Sequence, residues 1–304
     1  MSVTVRVPAK VNLHLGVGVR RADGFHDLVT VYQALSLTDE VTVERADELS
    51  VVVHGEGARL VPADATNLAA RAALALARRA GVPPAVRVVI RKGIPVAAGM
   101  AGGSADAAGA LVACDALWGT ELSRAELASV AATLGSDVPF ALYGATALGT
   151  GRGERVTPVL TRGTYHWVLA LATEGLSTAV VYERLDRLRG EPAPAPSAPA
   201  PPRPLLAALR AGDPVALGRA LANDLQPAAV SLRPRLRAVL RVAEDLGALG
   251  AVVSGSGPTV ALLARSEAHA VGVTAALAGA GVCDSVRRVH APVPGAQVVV
   301  PARA

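Results

Sequence analysis

Pro95–Ala108 reads PVAAGMAGGSADAA, a glycine-rich turn that runs directly into an alanine-rich helical pattern. Gly99, Gly102, Gly103 and Ser104 stand at the junction. The first N–H groups of a helix lack backbone partners and lie at the positive end of its dipole, so the junction suits a phosphate group. No Gly-Lys-Ser/Thr follows and no G-x-G-x-x-G is present, which excludes the Walker-type loop and the dinucleotide fingerprint. On this stretch alone, a phosphate loop and an ordinary strand-to-helix connection are equally good interpretations.

Composition bounds the size of the protein and the kind of partner it has. A chain of 304 residues is long enough for one large domain or two of ordinary size. It is 51% hydrophobic but only 3% aromatic, so the core must be built from Ala, Val and Leu. The net charge of +5 fits an anionic partner, while the scarce aromatic residues offer no surface on which bases could stack. We therefore expect an anionic small molecule as partner, and no nucleic acid.

Cysteine usage and the distribution of apolar residues predict the compartment. Cys114 and Cys283 form neither a disulfide framework nor a metal-binding spacing. The N-terminal MSVTVRVPAK reads as a strand rather than a signal peptide. The longest apolar stretches are interrupted by Asp106 or by Ser, Gly and Pro, so neither is expected to span a bilayer. We expect a cytoplasmic protein with no membrane partner, either a monomer or a weak homodimer.

Hydrophobic periodicity predicts early strands followed by helices, which favours an α+β fold. The predicted strands are Val3–Val7, Leu13–Val19 after a break at Pro8–Lys10, Leu28–Leu35, Val41–Glu44, Leu49–Val53, Val86–Ile90, Tyr165–Thr173, Ala251–Val253, Thr259–Leu263 and Ser285–His290. The predicted helices are Thr66–Ala80, Gly103–Leu117, Ser123–Leu134, Leu205–Arg210, Val215–Ala222, Leu232–Leu249 and Glu267–Ala280. Gly81 ends the first of these, and Ser123 with Glu126 forms a capping box at the start of the third.

A proline- and alanine-rich tract, Glu191–Pro204 (EPAPAPSAPAPPRP), lies in the second half of the chain. Its composition predicts an extended, solvated segment. We expect a surface insertion without function, inside the second of two domains placed at residues 1–160 and 161–304.

Two polar segments near the N-terminus contain side chains that can take part in catalysis or ligand binding. Lys10 and Asn12 are two residues apart, so their side chains project to one face if the segment is extended. A lysine on a core-forming strand is unusual because burying an ammonium group is costly. Taken alone, an edge strand with a solvated lysine is the safer interpretation. Phe25 and His26 follow a turn, where a packed loop is more common than a ligand clamp.

Two further segments lie later in the chain. Asp137 stands between a predicted helix end and the apolar run that follows it, which we interpret as a strand; a single carboxylate in a turn is usually a helix cap. Ser254–Pro258 reads SGSGP and joins two predicted strands. It is either a hairpin turn or a second set of backbone N–H groups for phosphate or substrate.

Together, these segments resemble the motifs of one family, both in their order along the chain and in their residues. PAKVNLHLGV, RRADGFH, PVAAGMAGGSADAA, GSDVPF and SGSGPT follow the motif order of the GHMP kinases, which include galactose, homoserine and mevalonate kinases. The PAK-x-N opening followed by RRADGFH resembles the branch that phosphorylates the 2-hydroxyl of 4-diphosphocytidyl-2-C-methyl-D-erythritol. The resemblance implies a two-domain α+β fold, with an N-terminal half like ribosomal protein S5, a ferredoxin-like C-terminal half and a cleft between them for ATP and substrate.

The resemblance also implies roles for single residues. Lys10 and Asp137 match the family's catalytic pair: Asp137 acts on the substrate hydroxyl, and Lys10 keeps Asp137 ionised and offsets charge on the moving phosphoryl group. Asn12 helps position the acceptor. Phe25 and Tyr182 match the rings on either side of the cytosine, and His26 matches the residue that reads its edge.

The remaining implied roles concern ATP and the middle of the substrate. The ATP loop is Pro95, Val96, Ala97, Ala98, Gly99, Met100, Ala101, Gly102, Gly103, Ser104 and Ala105, with the N–H groups of residues 99–104 facing the phosphates. Ser104 approaches Mg²⁺, which the phosphates largely hold. Lys92 and Asn67 match positions that line the nucleotide site. Thr178 and the Ser254–Gly257 turn lie near the diphosphate or erythritol end.

The chain departs from the family pattern at several positions. Ala97, Ala98 and Ala101 stand where glycine is usual, and an alanine forced to positive φ costs about 1–2 kcal/mol. Asp106 replaces a common Asn, and Phe25 replaces the commoner Tyr but keeps its stacking face.

Two other functions compete with this interpretation. A kinase for homoserine or a sugar shares the loop but does not need the Phe25, His26 and Tyr182 clamp. A non-catalytic nucleotide sensor on the same fold does not need Asp137.

Overall fold

A long antiparallel hairpin of β1 (Ser2–Arg20) and β2 (His26–Arg45) is the centre of the first sheet. The computed structural model describes residues 1–190 and 199–299. The other strands of this sheet are β3 (Ser50–Gly55), β4 (Val86–Lys92), β5 (Thr146–Gly151), β6 (Arg155–Pro158), β8 (Ala222–Asn223) and β12 (Gln297–Val298). Its order is β12-β1-β2-β4-β3, while β5 pairs antiparallel with both β2 and β6, and β8 runs parallel to β1.

The second sheet belongs to the later part of the chain. Its strands are β7 (Tyr165–Leu171), β9 (Gly250–Val253), β10 (Val260–Ala264) and β11 (Ser285–Ala291). They are antiparallel in the order β11-β7-β10-β9. Because β12 returns to pair with β1, the end of the described chain is part of the first sheet.

Helices cover both sheets. They are α1 (Leu68–Ala80), α2 (Gly102–Trp118), α3 (Arg124–Leu134), α4 (Val138–Tyr143), α5 (Thr178–Arg189), α6 (Arg203–Ala211), α7 (Pro214–Ala220), α8 (Gln226–Leu232), α9 (Arg235–Asp245) and α10 (Glu267–Gly279), with a 3₁₀ turn at Ala58–Leu60. A Cβ on Gly109 of α2 would lie 2.8 Å from Val7 and Val41, so α2 lies unusually close to the β1–β2 hairpin. Within residues 1–190 and 199–299, no helix is both long and apolar enough to cross a membrane.

Local sequence signals predicted several elements correctly. The α1 helix starts after Asn67, whose side chain accepts a hydrogen bond from the Ala69 N–H, and ends at Gly81 in the left-handed region. The α3 helix starts with the predicted capping box of Ser123 and Glu126. These signals are contained in a few neighbouring residues, so no distant partner can override them.

Four predictions of local structure were wrong. The strand does not break at Pro8–Lys10: β1 continues, and a register shift between Pro8 and Ala9 absorbs the missing N–H. The apolar run after Asp137 is helix α4, with proline in its first turn where the lost N–H costs nothing. The strands predicted at Leu28–Leu35 and Val41–Glu44 are one strand, β2.

The fourth error concerns Leu232–Leu249, predicted as one helix. There α8 ends at Leu232 and α9 begins only after Pro234. The pattern also missed α5, β5, β6, all of α8 except its last residue, and the short strands β8 and β12. The tract predicted at 191–204 lies outside the described residues for positions 191–198.

Candidate active site

A cleft of about 700 Å³ lies where the phosphate-loop segment, the ends of the β1–β2 hairpin, α5 and the β9–β10 turn meet. Most of the residues that the sequence predicts for the site line it. These are Lys10, Asn12, Phe25, His26, Ala97, Ala98, Gly99, Ala101, Gly102, Gly103, Ser104, Asp137, Thr178 and Tyr182. The fold thus brings together segments that are far apart in sequence, from Lys10 to Gly257.

Lys10 lies buried on β1 inside the sheet, not solvated on an edge strand, with 6% of its surface exposed. Its Nζ donates to Asn12 Oδ1 at 2.6 Å and to the Gly99 carbonyl at 2.9 Å. The same atom lies 3.7 Å from Asp137 Oδ2. Burial lowers the pKa of the Lys10 ammonium, and the charge of Asp137 opposes that change. The ammonium therefore points toward the Gly99 carbonyl of the loop and toward the Asp137 carboxylate.

Asp137 occupies the position before the first residue of α4, but its side chain makes no capping hydrogen bond. Its Oδ2 faces Lys10, and its Oδ1 accepts a hydrogen bond from the Tyr32 hydroxyl at 2.9 Å. The side chain is 29% exposed, so a ligand in the cleft can reach the carboxylate. Asp137 therefore does not act as a helix cap, which is the usual role of an aspartate at this position.

Asn12 continues a chain of hydrogen bonds away from Lys10. Its Nδ2 donates to Thr30 Oγ1 at 2.8 Å, and that hydroxyl donates to the His14 carbonyl at 2.7 Å. Both polar atoms of the Asn12 amide are therefore engaged within the protein, Oδ1 with Lys10 and Nδ2 with Thr30.

The loop before α2 has the strained geometry that its alanines suggested. Ala97 and Ala101 have φ of 54° and 60°, while Ala98 is not in the left-handed region. No side chain caps α2, so the N–H groups of its first turn, residues 102–104, lack capping partners at the cleft. Two of the three alanine positions therefore carry backbone strain beside a set of open donors.

The β9–β10 turn is a hairpin connection, and it also builds the cleft. Ser254 Oγ donates to the Gly99 carbonyl at 3.0 Å, so the turn is tied to the tip of the loop. Gly99 has φ of 74°, and a Cβ on it would lie 2.4 Å from the Ser254 carbonyl oxygen and 2.8 Å from that of Gly257. Both parts of the chain thus meet over Gly99.

A smaller cavity of about 200 Å³ lies on the other side of the loop. It is lined by Asn67, Lys92 and Val96 together with Ala97, Gly102, Gly103 and Asp106. Asn67 and Lys92 therefore lie beside the loop but not in the larger cleft. Pro95, Met100 and Ala105 line neither cavity; Met100 and Ala105 are buried in the core.

Three buried charges stand behind this smaller cavity. Lys92 Nζ contacts Asp39 Oδ2 at 2.5 Å and Asp106 Oδ2 at 2.7 Å. Asp39 Oδ1 also accepts hydrogen bonds from the N–H groups of Gly93 and Ile94. The group therefore joins the segment before the loop to the first turns of α2 after it.

The β1–β2 turn and α5 carry the aromatic residues of the cleft, and we call this part its aromatic end. His26 Nε2 lies 2.8 Å from Asp186 Oδ1, and its ring centroid lies 5.0 Å from that of Tyr182. Tyr182 and Asp186 are one turn apart on α5. Phe25 is 51% exposed, and the Arg152 guanidinium lies 5.0 Å over its ring. The three rings that the sequence predicts for a base therefore all line this cleft.

Thr178 is the first residue of α5 and lies beside the β9–β10 turn. Its Oγ1 and Ser256 Oγ are 3.0 Å apart, which joins the start of α5 to the β9–β10 turn. Both residues line the cleft.

Among the cleft residues that sequence reasoning missed are Tyr32, Arg152 and Asp186. Tyr32 is one of only four tyrosines, and Arg152 stands between two glycines in the β5–β6 turn, so each had a weak signal. Their positions follow from strand pairing and from the turn of a hairpin that the pattern did not predict.

The chemistry of the site follows from these contacts. Open helix N–H groups and a buried ammonium suit the phosphates of a nucleotide. A partly exposed carboxylate beside the ammonium suits a hydroxyl that must lose its proton. Within the described residues no group of three or more His, Cys, Asp or Glu side chains could hold a metal ion.

Comparison with known proteins agrees with this geometry. The family model for the GHMP kinases N terminal domain matches residues 67–145, and that for the GHMP kinases C terminal matches residues 205–283. A relative from Nocardia farcinica (strain IFM 10152), described as 4-diphosphocytidyl-2-C-methyl-D-erythritol kinase, is 58% identical over 98% of this chain and 97% of its own.

Solved structures share the fold. A crystal structure of 4-(cytidine 5'-diphospho)-2C-methyl-D-erythritol kinase is 34% identical with a TM-score of 0.75, covering 95% of this chain and 99% of its own. A homoserine kinase from Cytophaga hutchinsonii has a TM-score of 0.77 at 20% identity, covering 98% and 97%, so shape alone does not separate the two activities. On the sequence matches, the chain belongs to the GHMP kinases, in the family of the 4-diphosphocytidyl-2-C-methyl-D-erythritol kinases.

Proposed function

We propose that this protein transfers the γ-phosphate of ATP to the 2-hydroxyl of 4-diphosphocytidyl-2-C-methyl-D-erythritol, a step of the non-mevalonate isoprenoid pathway. The single observation that carries the proposal is the Lys10–Asp137 pair, 3.7 Å apart, in one cleft with the phosphate loop and the Phe25, His26 and Tyr182 cluster. The printed activity of the 58% identical relative supports it.

In the proposed reaction, Asp137 orients the acceptor hydroxyl and takes its proton. The acceptor oxygen forms a bond to the γ-phosphorus, the bond from that phosphorus to the β–γ bridging oxygen breaks, and ADP leaves. Transfer of this kind depends mostly on orientation and charge stabilisation. Lys10 provides a positive charge for the moving phosphoryl group. Its hydrogen bond to the Gly99 carbonyl also fixes the position of the loop.

The loop is the proposed seat of the ATP phosphates. The N–H groups of residues 102–104 would donate to phosphate oxygens, and Asn67 with Lys92 would line the nucleotide end, where the smaller cavity adjoins the loop. Mg²⁺ is the proposed cofactor, and it would neutralise phosphate charge during transfer. The Ser104 hydroxyl is an oxygen donor that suits this ion, and the phosphates would provide most of its ligands.

The proposed substrate lies with its cytidine at the aromatic end. Phe25 and Tyr182 would face the base, and His26, fixed by Asp186, would present its ring edge to it. Thr178 and Ser256 would adjoin the diphosphate. Asn12 is assigned to hold Lys10 rather than to position the acceptor directly.

A panel of acceptors tests the proposal. ADP release is measured with ATP, Mg²⁺ and each of 4-diphosphocytidyl-2-C-methyl-D-erythritol, homoserine and mevalonate. We expect release with the first acceptor and inhibition of that reaction by CDP. Release only with homoserine, or release that cytidine nucleotides do not inhibit, would favour a related kinase. No release above the background with any acceptor would favour the nucleotide sensor.

Two predictions about organisation accompany the proposal. The division into domains 1–160 and 161–304 places the boundary between β6 and β7, although β8 and β12 pair with the first sheet. The cytoplasmic location and the monomeric or weakly dimeric state stay predictions.

A further inference from the structure

Tyr32 joins the first sheet to the helix that carries Asp137. It lies on β2 opposite Asn12 of β1, and only 2% of its surface is exposed. Its ring stacks on Phe140 of α4, with centroids 4.8 Å apart and an angle of 29° between the planes. Its hydroxyl donates to Asp137 Oδ1 at 2.9 Å. One rigid side chain therefore contacts the start of α4 at two points.

The neighbouring backbone leaves room for this hydroxyl. A Cβ on Gly153 would lie 2.4 Å from the Tyr32 hydroxyl oxygen, and a Cβ on Gly149 would lie 2.6 Å from the Tyr32 ring. A larger residue at either position would push the phenol away from Asp137. The β5–β6 hairpin is thus shaped around Tyr32 as well as carrying Arg152.

This arrangement gives the two oxygens of Asp137 different surroundings. Oδ1 is engaged by Tyr32, and Oδ2 faces Lys10 at 3.7 Å, a distance that leaves room for another hydrogen bond. Burial, followed by the charge of Asp137, raises the pKa of the Tyr32 phenol well above its ordinary value. The phenol therefore stays protonated and remains a donor at physiological pH.

We propose that Tyr32 is a positioning residue for the transfer, holding Asp137 Oδ1 so that Oδ2 receives the proton of the acceptor hydroxyl. The inference rests on the proposed function, because it assigns an orientation to the carboxylate that acts there. The competing role for Tyr32 is packing against Phe140 alone, which a phenylalanine would fill equally well.

Tyr32→Phe separates these two roles, because it removes the hydroxyl and keeps the ring. Tyr165→Phe is the matched control: Tyr165 is also buried, and its hydroxyl has no hydrogen-bond partner within residues 1–190 and 199–299. We expect Tyr32→Phe to lower kcat about tenfold, with KM for ATP and for the acceptor within twofold of wild type. We expect no change in Tyr165→Phe.

The division between kcat and KM is the readout that packing alone would not produce. Loss of packing against Phe140 would disturb α4 and with it the binding of both substrates, whereas loss of the hydroxyl alone changes the orientation of Asp137 and therefore kcat.

Each outcome decides the question. A kcat equal to that of wild type in Tyr32→Phe overturns the proposal, as does a change confined to KM. A fall in kcat accompanied by rises of similar size in both KM values also overturns it. Asp137→Asn separates this result from the proposed function: if that variant turns over normally, the assignment of Asp137 fails whatever Tyr32→Phe does. If it is inactive while Tyr32→Phe is normal, only the positioning role fails.

Discussion

Asp106 is a residue whose buried surroundings predict an effect of pH on stability between acidic and neutral pH. It is buried on α2 with Lys92 and Asp39, so one ammonium faces two carboxylates. Its Oδ2 contacts Lys92, but its Oδ1 has no hydrogen-bond partner in the described part of the chain. Burial raises the pKa of Asp106 to about 7, Lys92 opposes the change and the charge of Asp39 adds to it.

The direction in which stability changes with pH follows from the pKa of Asp106 in the unfolded and in the folded state. In the unfolded chain the Asp106 carboxyl titrates near 3.8, and in the folded protein near 7. The stability linked to this proton is complete below about pH 4 and is lost as pH rises to about 7. Three pKa units correspond to about 4 kcal/mol, of which about 2 kcal/mol is lost between pH 5.5 and pH 8.5.

Asp106→Asn removes this titration while keeping the shape and the contact with Lys92. We expect the variant to gain about 2 kcal/mol relative to wild type between pH 5.5 and pH 8.5, measured by urea unfolding at several pH values. Asp47→Asn, at an exposed position, is the control for removing a carboxylate as such. A difference between Asp106→Asn and wild type that stays constant or falls as pH rises would refute the reasoning.

Two further substitutions test the loop and the aromatic end. Gly99→Ala places a Cβ at positive φ and against the Ser254 carbonyl, so we expect a loss of about 3 kcal/mol in unfolding free energy and a higher KM for ATP. Gly272→Ala, in the open interior of α10, is its control and should be neutral or stabilising. Arg152→Gln removes the cation over Phe25, and we expect KM for the cytidine substrate to rise several-fold while KM for ATP is unchanged. Equal changes in both KM values would contradict that assignment.

Sequence reasoning succeeded where a few adjacent residues decide the structure. The Ser123–Glu126 capping box and the Gly81 terminus are local, and the glycine-rich loop with its helix was found for the same reason. The strain at Ala97 and Ala101 was also foreseen from residue type, although the third alanine, Ala98, escapes it.

Sequence reasoning failed where the structure depends on a contact between distant residues or where a segment is too short to show its periodicity. The apolar run after Asp137 has too few residues to distinguish a strand from a short helix by periodicity. Tyr32 acquires its contact with Asp137 only through the pairing of β1, β2 and β5, which no local pattern reveals. Lys10 was recognised through resemblance, because its burial depends on Gly99 and Asp137, which are far away in sequence.

The central claim is that this cleft transfers phosphate to the cytidine-bearing substrate through Asp137. The most direct measurement follows labelled γ-phosphate from ATP, with 4-diphosphocytidyl-2-C-methyl-D-erythritol as acceptor, in wild type and Asp137→Asn. We predict that wild type places the label on the 2-hydroxyl of the acceptor. We predict that the variant folds and binds ATP but transfers about 10²–10⁴-fold more slowly. Label found only as free phosphate with wild type, or transfer by the variant at the wild-type rate, would contradict the account.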